Sequence, residues 1–205
     1  TCSTGGVLSK GTKVGAPQYT VEELTALIDE AHNRGLKVAS HAHGAEGIIN
    51  ALIAGADTIE HASFIDDEGI RLAIENDAAL SMDIYVTEYI LGEGASAGIL
   101  EESLEKERMT GATQRSNFRK AVEAGATIVY GTDAGVYPHG QNAKQLSRMT
   151  RFGMSPLQAL QSATTVAAEV MGLGYEIGKI EAGYAADFVA VEGNPIEQIE
   201  LLEAP

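Results

Sequence analysis

Three of the five histidines stand in two short segments, SHAHG (His41, His43) and IEHAS (His61), and an aspartate, Asp133, follows in GTDAG. Neutral imidazole and carboxylate are the usual ligands of zinc and similar divalent ions. A divalent ion so held activates water as a nucleophile. Each residue also has a plainer use. A strand-end histidine can be a hydrogen-bonded structural group, and an Asp before Ala-Gly can be a turn residue. Two histidines two apart on a strand share a face, so only one of His41 and His43 needs to meet an ion. The joint occurrence of His, His and Asp at successive strand ends is what favours a metal site.

These residues converge only if neighbouring elements bring them together, and the surrounding pattern supplies such elements. Thr20 and Glu23 have the form of a capping box, with Leu24, Leu27, Ile28 and Ala31 on one helical face and Gly35 as terminator. LKVASHAHG then reads as a buried strand. AEGIINALIAG reads as a helix closed by Gly55, followed by the strand DTIEHASF. DDEGIRLAIEN and ALSMDIYV form a third helix and strand, and a polar insertion runs from about Thr87 to Thr110. TQRSNFRKAVEAG is a fourth helix, leading into the strand ATIVYGTDAG. QNAKQLSRMTRFG and SPLQALQSATTVAAEVMG predict two more helices, Pro156 sitting in a first turn. YEIGKIEAGYAADFVAVEGNP predicts short strands with Gly turns.

Strands alternating with helices imply βα units and a parallel sheet. Four units are half of a (β/α)8 TIM barrel, which usually takes about 250 residues. The expected fold class is α/β: half a barrel over 1–173, with part of a small β-sandwich over 174–205. Barrel chemistry sits at the C-terminal ends of the strands. Those ends deliver His41 and His43, then His61, then Tyr85 and Glu88, then Asp133. His32 falls near a helix end, where it can satisfy terminal carbonyls.

The formal charge of −15 sets a negative field that disfavours nucleic acid and anionic membranes as partners and is compatible with a cationic substrate. One cysteine, Cys2, excludes an intrachain disulfide and fits a cytoplasmic or a periplasmic home. No apolar run approaches the roughly 20 residues of a membrane span. TCSTGGVLSKG lacks the basic and apolar regions of a signal peptide and reads as the interior of a domain.

VASHAHG, IEHASF and GTDAG in this order, with GKIEAGYAADFVAVEGNP at the end, resemble the amidohydrolase superfamily over nearly the whole chain. STGGV, HAHG and PHGQNAKQL resemble its binuclear-zinc dipeptidase branch, related to prolidase-like and imidazolonepropionase-like enzymes. MDIYVTEYILGEG and EESLEKER are most similar to the zinc-dependent arginine carboxypeptidases of that branch, which cleave dipeptides ending in Arg or Lys. The resemblance implies a C-terminal half-barrel, with His41, His61 and Asp133 as metal ligands and Asp133 as proton shuttle. It implies substrate contacts at His43 and, in the loop after the last strand, His139; Tyr85 is a further candidate from its strand end. Glu107 is the expected partner of a cationic side chain, with Glu101, Glu102 and Glu105 as rivals. Two divalent ions, taken as Zn2+, are implied, bridged by a carboxylated lysine expected just before Thr1. The strand-1 His-x-His motif is absent from these residues, so the remaining N-terminal part of the protein is an expected partner, as is a second copy in a homo-oligomer.

The implied reaction is amide hydrolysis by metal-activated water, with Asp133 as general acid–base and a metal or His43 polarising the carbonyl. The alternatives are a prolidase-like dipeptidase, an imidazolonepropionase-like cyclic amidohydrolase, and a metal-free barrel acting as a binding or assembly module.

Overall fold

The computed structural model describes residues 1–203 of the chain. Its frame is a four-stranded parallel sheet in the order β1-β2-β3-β4: Ala39–Ala42, Thr58–His61, Ala79–Ser81 and Ile128–Val129. Each strand is laid beside its predecessor, the order of a (β/α)8 barrel, whereas a doubly wound sheet reverses direction. The chain is thus an α/β barrel fragment. Residues 1–4 extend its first edge, where Cys2 bridges His41 in parallel and Ser3 N donates to His41 O at 2.9 Å.

α1 (Val21–His32) starts at the expected capping box: Glu23 N donates to Thr20 Oγ1 at 3.3 Å, and Thr20 N donates to the Glu23 carboxylate at 3.0 Å. It buries only the narrow stripe Leu24 and Ile28; Leu27, expected on that face, is 43% exposed because α1 packs to one side, against α2 (Ala45–Ile53). α3 (Asp67–Glu75) is capped by Asp66, which accepts from Gly69 N. Ile48, Leu52, Ile59, Leu80 and Phe118 join the layers in one apolar core.

The structure departs from the sequence pattern in three places. The pattern carries the third strand through Val86, yet β3 stops at Ser81, and α4 begins at Val86 (Val86–Gly92). Between them the backbone is held by side chains: Gln145 Nε2 donates to Met82 O and Arg115 to Ile84 O. The polar insertion expected through Thr110 instead contains α4 and the first part of α5 (Glu101–Ala124), which takes in the predicted fourth helix. The predicted last helix is broken into α7 (Pro156–Ser162) and α8 (Thr165–Val170) at Thr164, whose backbone is non-helical; α6 (Lys144–Arg151) precedes them.

Of the segment 174–205, residues 174–203 form turns and a 3-10 turn at Ile199–Leu202, with no strand among the described residues; the last two positions lie outside them. The expected strands have nothing to pair with there, and strands do not persist without a ladder partner. Tyr175, Ile180, Phe188 and Val189 are strongly exposed as a result. Among the described residues no helix is long and apolar enough to cross a membrane.

Candidate active site

Parallel pairing places facing residues on one side of the sheet, and alternation does the rest. His41 pairs with Glu60 and Ser40 with Ile59, while Ser40 and Ile59 are fully buried. His41 therefore turns away from the face that Ser40 and Ile59 bury. Alternation alone would give His61 the other face, because its partner is the buried Ala42. The backbone breaks that rule: His61 has φ 68° and Ala62 φ 47°, both left-handed. Such conformations cost non-glycine residues and persist where the surroundings over-determine them, as at functional sites. Here the break sets the His61 ring 4.6 Å from His41 and 4.6 Å from His43, stacked on the latter. Asp133 is left-handed too, with φ 52°.

Two triads have ligand atoms mutually within 4.8 Å: His41, His43 and His61, and His61, Asp83 and Asp133. His61 belongs to both. The three ligands expected from sequence are thus gathered around His61, joined by His43 and by Asp83, which sequence reasoning missed. Asp83 was legible in principle. It lies in ALSMDIYV, but a strand carried through that whole segment puts its apparent end at Tyr85 and Glu88. With β3 ending at Ser81, Asp83 takes the mouth position.

The charges fit cation binding. Burial, helped by the charge of His61, lowers His41 to about 4 and His43 to about 3, so both rings are neutral and offer lone pairs. Burial also opposes charge on His61, but the carboxylate and hydrogen bond of Asp83 outweigh it and raise His61 to about 9. Burial pushes Asp83 up, yet His61 holds it below the usual carboxylate range. Burial and the nearby Asp83 charge raise Asp133 to about 6. His41, His61 and Asp133, with His43 and Asp83 beside them, offer the imidazole and carboxylate donors that suit zinc and other borderline divalent ions, and an ion entering here would take the place of the His61 proton.

The supports of these groups come from neighbouring loops and from α5. His43 Nδ1 lies 2.8 Å from Ser63 Oγ, and His43 N donates to Thr4 Oγ1. Gln114 donates to Asp83 Oδ1 at 2.9 Å and to His61 O at 3.1 Å. Asn117 donates to Ser63 O at 3.0 Å. Gly6 lies against His41, where a Cβ would come within 2.9 Å of Nε2.

The cluster lines a cavity of about 330 Å³ whose wall includes Val86, Ile90, Val136 and Glu107. Glu107 is 3% exposed, and its Oε1 has no hydrogen-bond partner among the described residues. Burial, aided by Asp83, raises its pKa to about 7. Its rivals do not reach the cavity: Glu101 pairs with Arg108, Glu102 with Lys106, and Glu105 is exposed. Tyr85 is not part of the cavity wall; its hydroxyl donates to Gln141 and its ring packs on Tyr137. It sits beyond the early end of β3, which is why the strand-end rule misplaced it. Glu88 pairs with Arg148 and Arg115. His139 is exposed and away from the cavity wall. His32, at the end of α1, pairs with Asp57.

Sequential βα units with imidazoles and carboxylates gathered at strand ends define an α/β barrel protein whose strand-end cluster could hold a metal ion. More narrowly, the chain belongs to the amidohydrolase family, whose model matches residues 1–204. It is 33% identical over 205 residues to ochratoxinase of Aspergillus niger, covering 99% of this chain and 42% of that protein. It matches a Xaa-Pro dipeptidase, solved with methionine in its active site, at TM-score 0.93 and 41% identity, over 98% of this chain and 50% of that one. A prolidase complexed with N-methylphosphonate-L-proline matches at TM-score 0.93 and 29% identity, over 98% and 49%. The chain spans about half the length of these relatives.

Proposed function

We propose that this chain carries part of the active site of a metal-dependent hydrolase that cleaves the amide bond of dipeptides ending in Arg or Lys. The observation that carries the specificity is Glu107, a buried carboxyl with an unpartnered oxygen in the wall of the cavity that holds the His/Asp cluster. A guanidinium or ammonium entering the cavity gives that carboxylate the charge-assisted hydrogen bond it lacks.

His41, His61 and Asp133 are the ligands from this chain. Divalent ions held there supply Lewis acidity, polarising a carbonyl and making water a nucleophile near neutral pH. A second ion would need ligands beyond these three, a carboxylated lysine being the one the family resemblance implies. Asp133, raised to about 6, is suited to accept the proton of the attacking water and return it to the leaving amine. His43 Nδ1 lies 2.8 Å from the Ser63 hydroxyl; in the tautomer that accepts from Ser63, neutral His43 carries its proton on Nε2 and can donate it as a hydrogen bond to the substrate carbonyl oxygen.

A second reading, a prolidase-like dipeptidase, is favoured by the likeness to the Xaa-Pro dipeptidase and by the apolar wall of Val86, Ile90 and Val136, which suits a proline ring. A substrate panel separates them. The full-length protein is expected to hold close to two zinc ions by elemental analysis, to lose metal on His61→Ala, and to hydrolyse Xaa-Arg and Xaa-Lys faster than Xaa-Pro. A preference for Xaa-Pro overturns the cationic specificity, and absence of bound metal overturns the hydrolase mechanism.

A further inference from the structure

The helix α5 buries polar side chains where a surface helix normally buries an apolar stripe: Glu107, Thr110, Gln114 and Asn117 are all under one-tenth exposed. We infer that Gln114 is a positioning residue that fixes both the backbone and the ring of His61. The inference rests on the metal-hydrolase reading above and concerns how this chain holds one of its ligands.

The geometry forms a closed circuit. The side-chain amide nitrogen of Gln114 has two hydrogens, and the structure gives each an acceptor: His61 O at 3.1 Å and Asp83 Oδ1 at 2.9 Å. The other oxygen of Asp83 lies 3.0 Å from His61 Nδ1. One end of the circuit therefore holds the carbonyl of a residue with left-handed backbone, and the other orients its ring. With Nδ1 engaged by Asp83, Nε2 is the nitrogen left for a cation, the arrangement by which an outer carboxylate sets a ligating histidine. Removing Gln114 takes away the donor to Asp83 Oδ1 and the side-chain donor to the His61 carbonyl, so the pair formed by Asp83 and the His61 ring is no longer tied to α5 and its aim loosens while both residues remain.

The test uses the metal-stripped full-length protein, titrated with Zn2+ against a chromophoric chelator. Gln114→Met is expected to weaken Zn2+ binding about 10- to 100-fold, the usual effect of losing an outer-shell partner. Gln114→Asn, which keeps the amide but is too short to serve both acceptors, is expected to weaken it in the same direction and stands in if the Met variant does not fold. Asn76→Ala removes another side-chain amide, one that bonds Leu52 O at the end of α3 and is not part of the cavity wall, and is expected to lower stability with Zn2+ affinity unchanged. Unchanged affinity in both Gln114 variants overturns the proposal, as does an equal loss in Asn76→Ala. An unsubstituted protein that binds no Zn2+ overturns the metal reading itself, so the two failures are distinct.

Discussion

Exchanging Glu107 for Gln removes an ionisable group that the fold holds against its ordinary chemistry. The side chain is 3% exposed, and burial with the Asp83 charge lifts its pKa from 4.5 to about 7. A carboxyl raised in the folded state binds its proton over a range where the unfolded chain has lost it. Its contribution to stability is complete below pH 4.5 and is lost as pH rises through about 7. The rise from 4.5 to about 7 corresponds to about 3 kcal/mol. Glutamine has the shape of the neutral acid and no such dependence. Urea unfolding of the metal-stripped protein should therefore find Glu107→Gln close to the parent near pH 5 and more stable by about 3 kcal/mol near pH 8, with an unchanged m-value. A stabilisation equal at both pH values, or none at either, refutes the reasoning that burial of an ionised Glu107 outweighs what Thr87, Arg115 and His61 give back.

The same substitution tests what the strained carboxyl is for. Losing a hydrogen bond to a charged group costs about 1.5–3 kcal/mol, so kcat/KM for Xaa-Arg should fall about 10- to 100-fold, while dipeptides ending in a neutral residue should change little. An equal fall for both kinds of substrate would show that Glu107 serves the fold of the cavity and not its specificity. Stability gained and selectivity lost together are the signature of a functional site that destabilises its own fold.

Two further substitutions probe the frame. Thr20→Ala deletes the α1 capping box and should cost about 1 kcal/mol in denaturant unfolding. Gly47→Ala should destabilise despite alanine's higher helix propensity, because the added Cβ would stand 2.2 Å from Thr4 Cγ2. Pushing α2 off the N-terminal segment also disturbs Thr4, which accepts from His43 N, so a loss of about 1–3 kcal/mol in thermal unfolding is expected.

What the sequence made legible was what local chemistry determines. The capping box at Thr20 and the first-turn proline at Pro156 mark real helix starts, and the glycines at 35 and 55 sit with positive φ just past α1 and α2. His41, His61 and Asp133 do meet, since strand ends in a parallel sheet share one rim. The failures have physical causes. The first half of α5 lacked an apolar period because the face it buries is polar, packed on the site and not on the core. Asp83 was missed because β3 ends where side chains of Arg115 and Gln145 replace the ladder, and those contacts come from distant parts of the chain. The left-handed turn at His61 left only a weak signal, because His is enriched at positive φ but adopts it uncommonly, and the Ala62 beside it does not announce it.

That turn and that helix explain one another. Further along the same buried face α5 is anchored by Phe118 and Ala121 in the apolar core, so packing sets where its polar stripe lies. From Glu107 to Asn117 the helix rises about 15 Å, enough to cross the mouth of the sheet. Along that length Glu107 faces the cavity, Gln114 holds His61 and Asp83, and Asn117 holds the Ser63 carbonyl, whose hydroxyl meets His43. A strained backbone needs donors that do not move, and donors on a helix tied into the core meet that need better than donors on a loop. The polar composition that hid the first half of α5 from sequence reasoning therefore follows from where the helix lies, since one rigid element carries the cavity carboxyl proposed for specificity and the supports of two histidines.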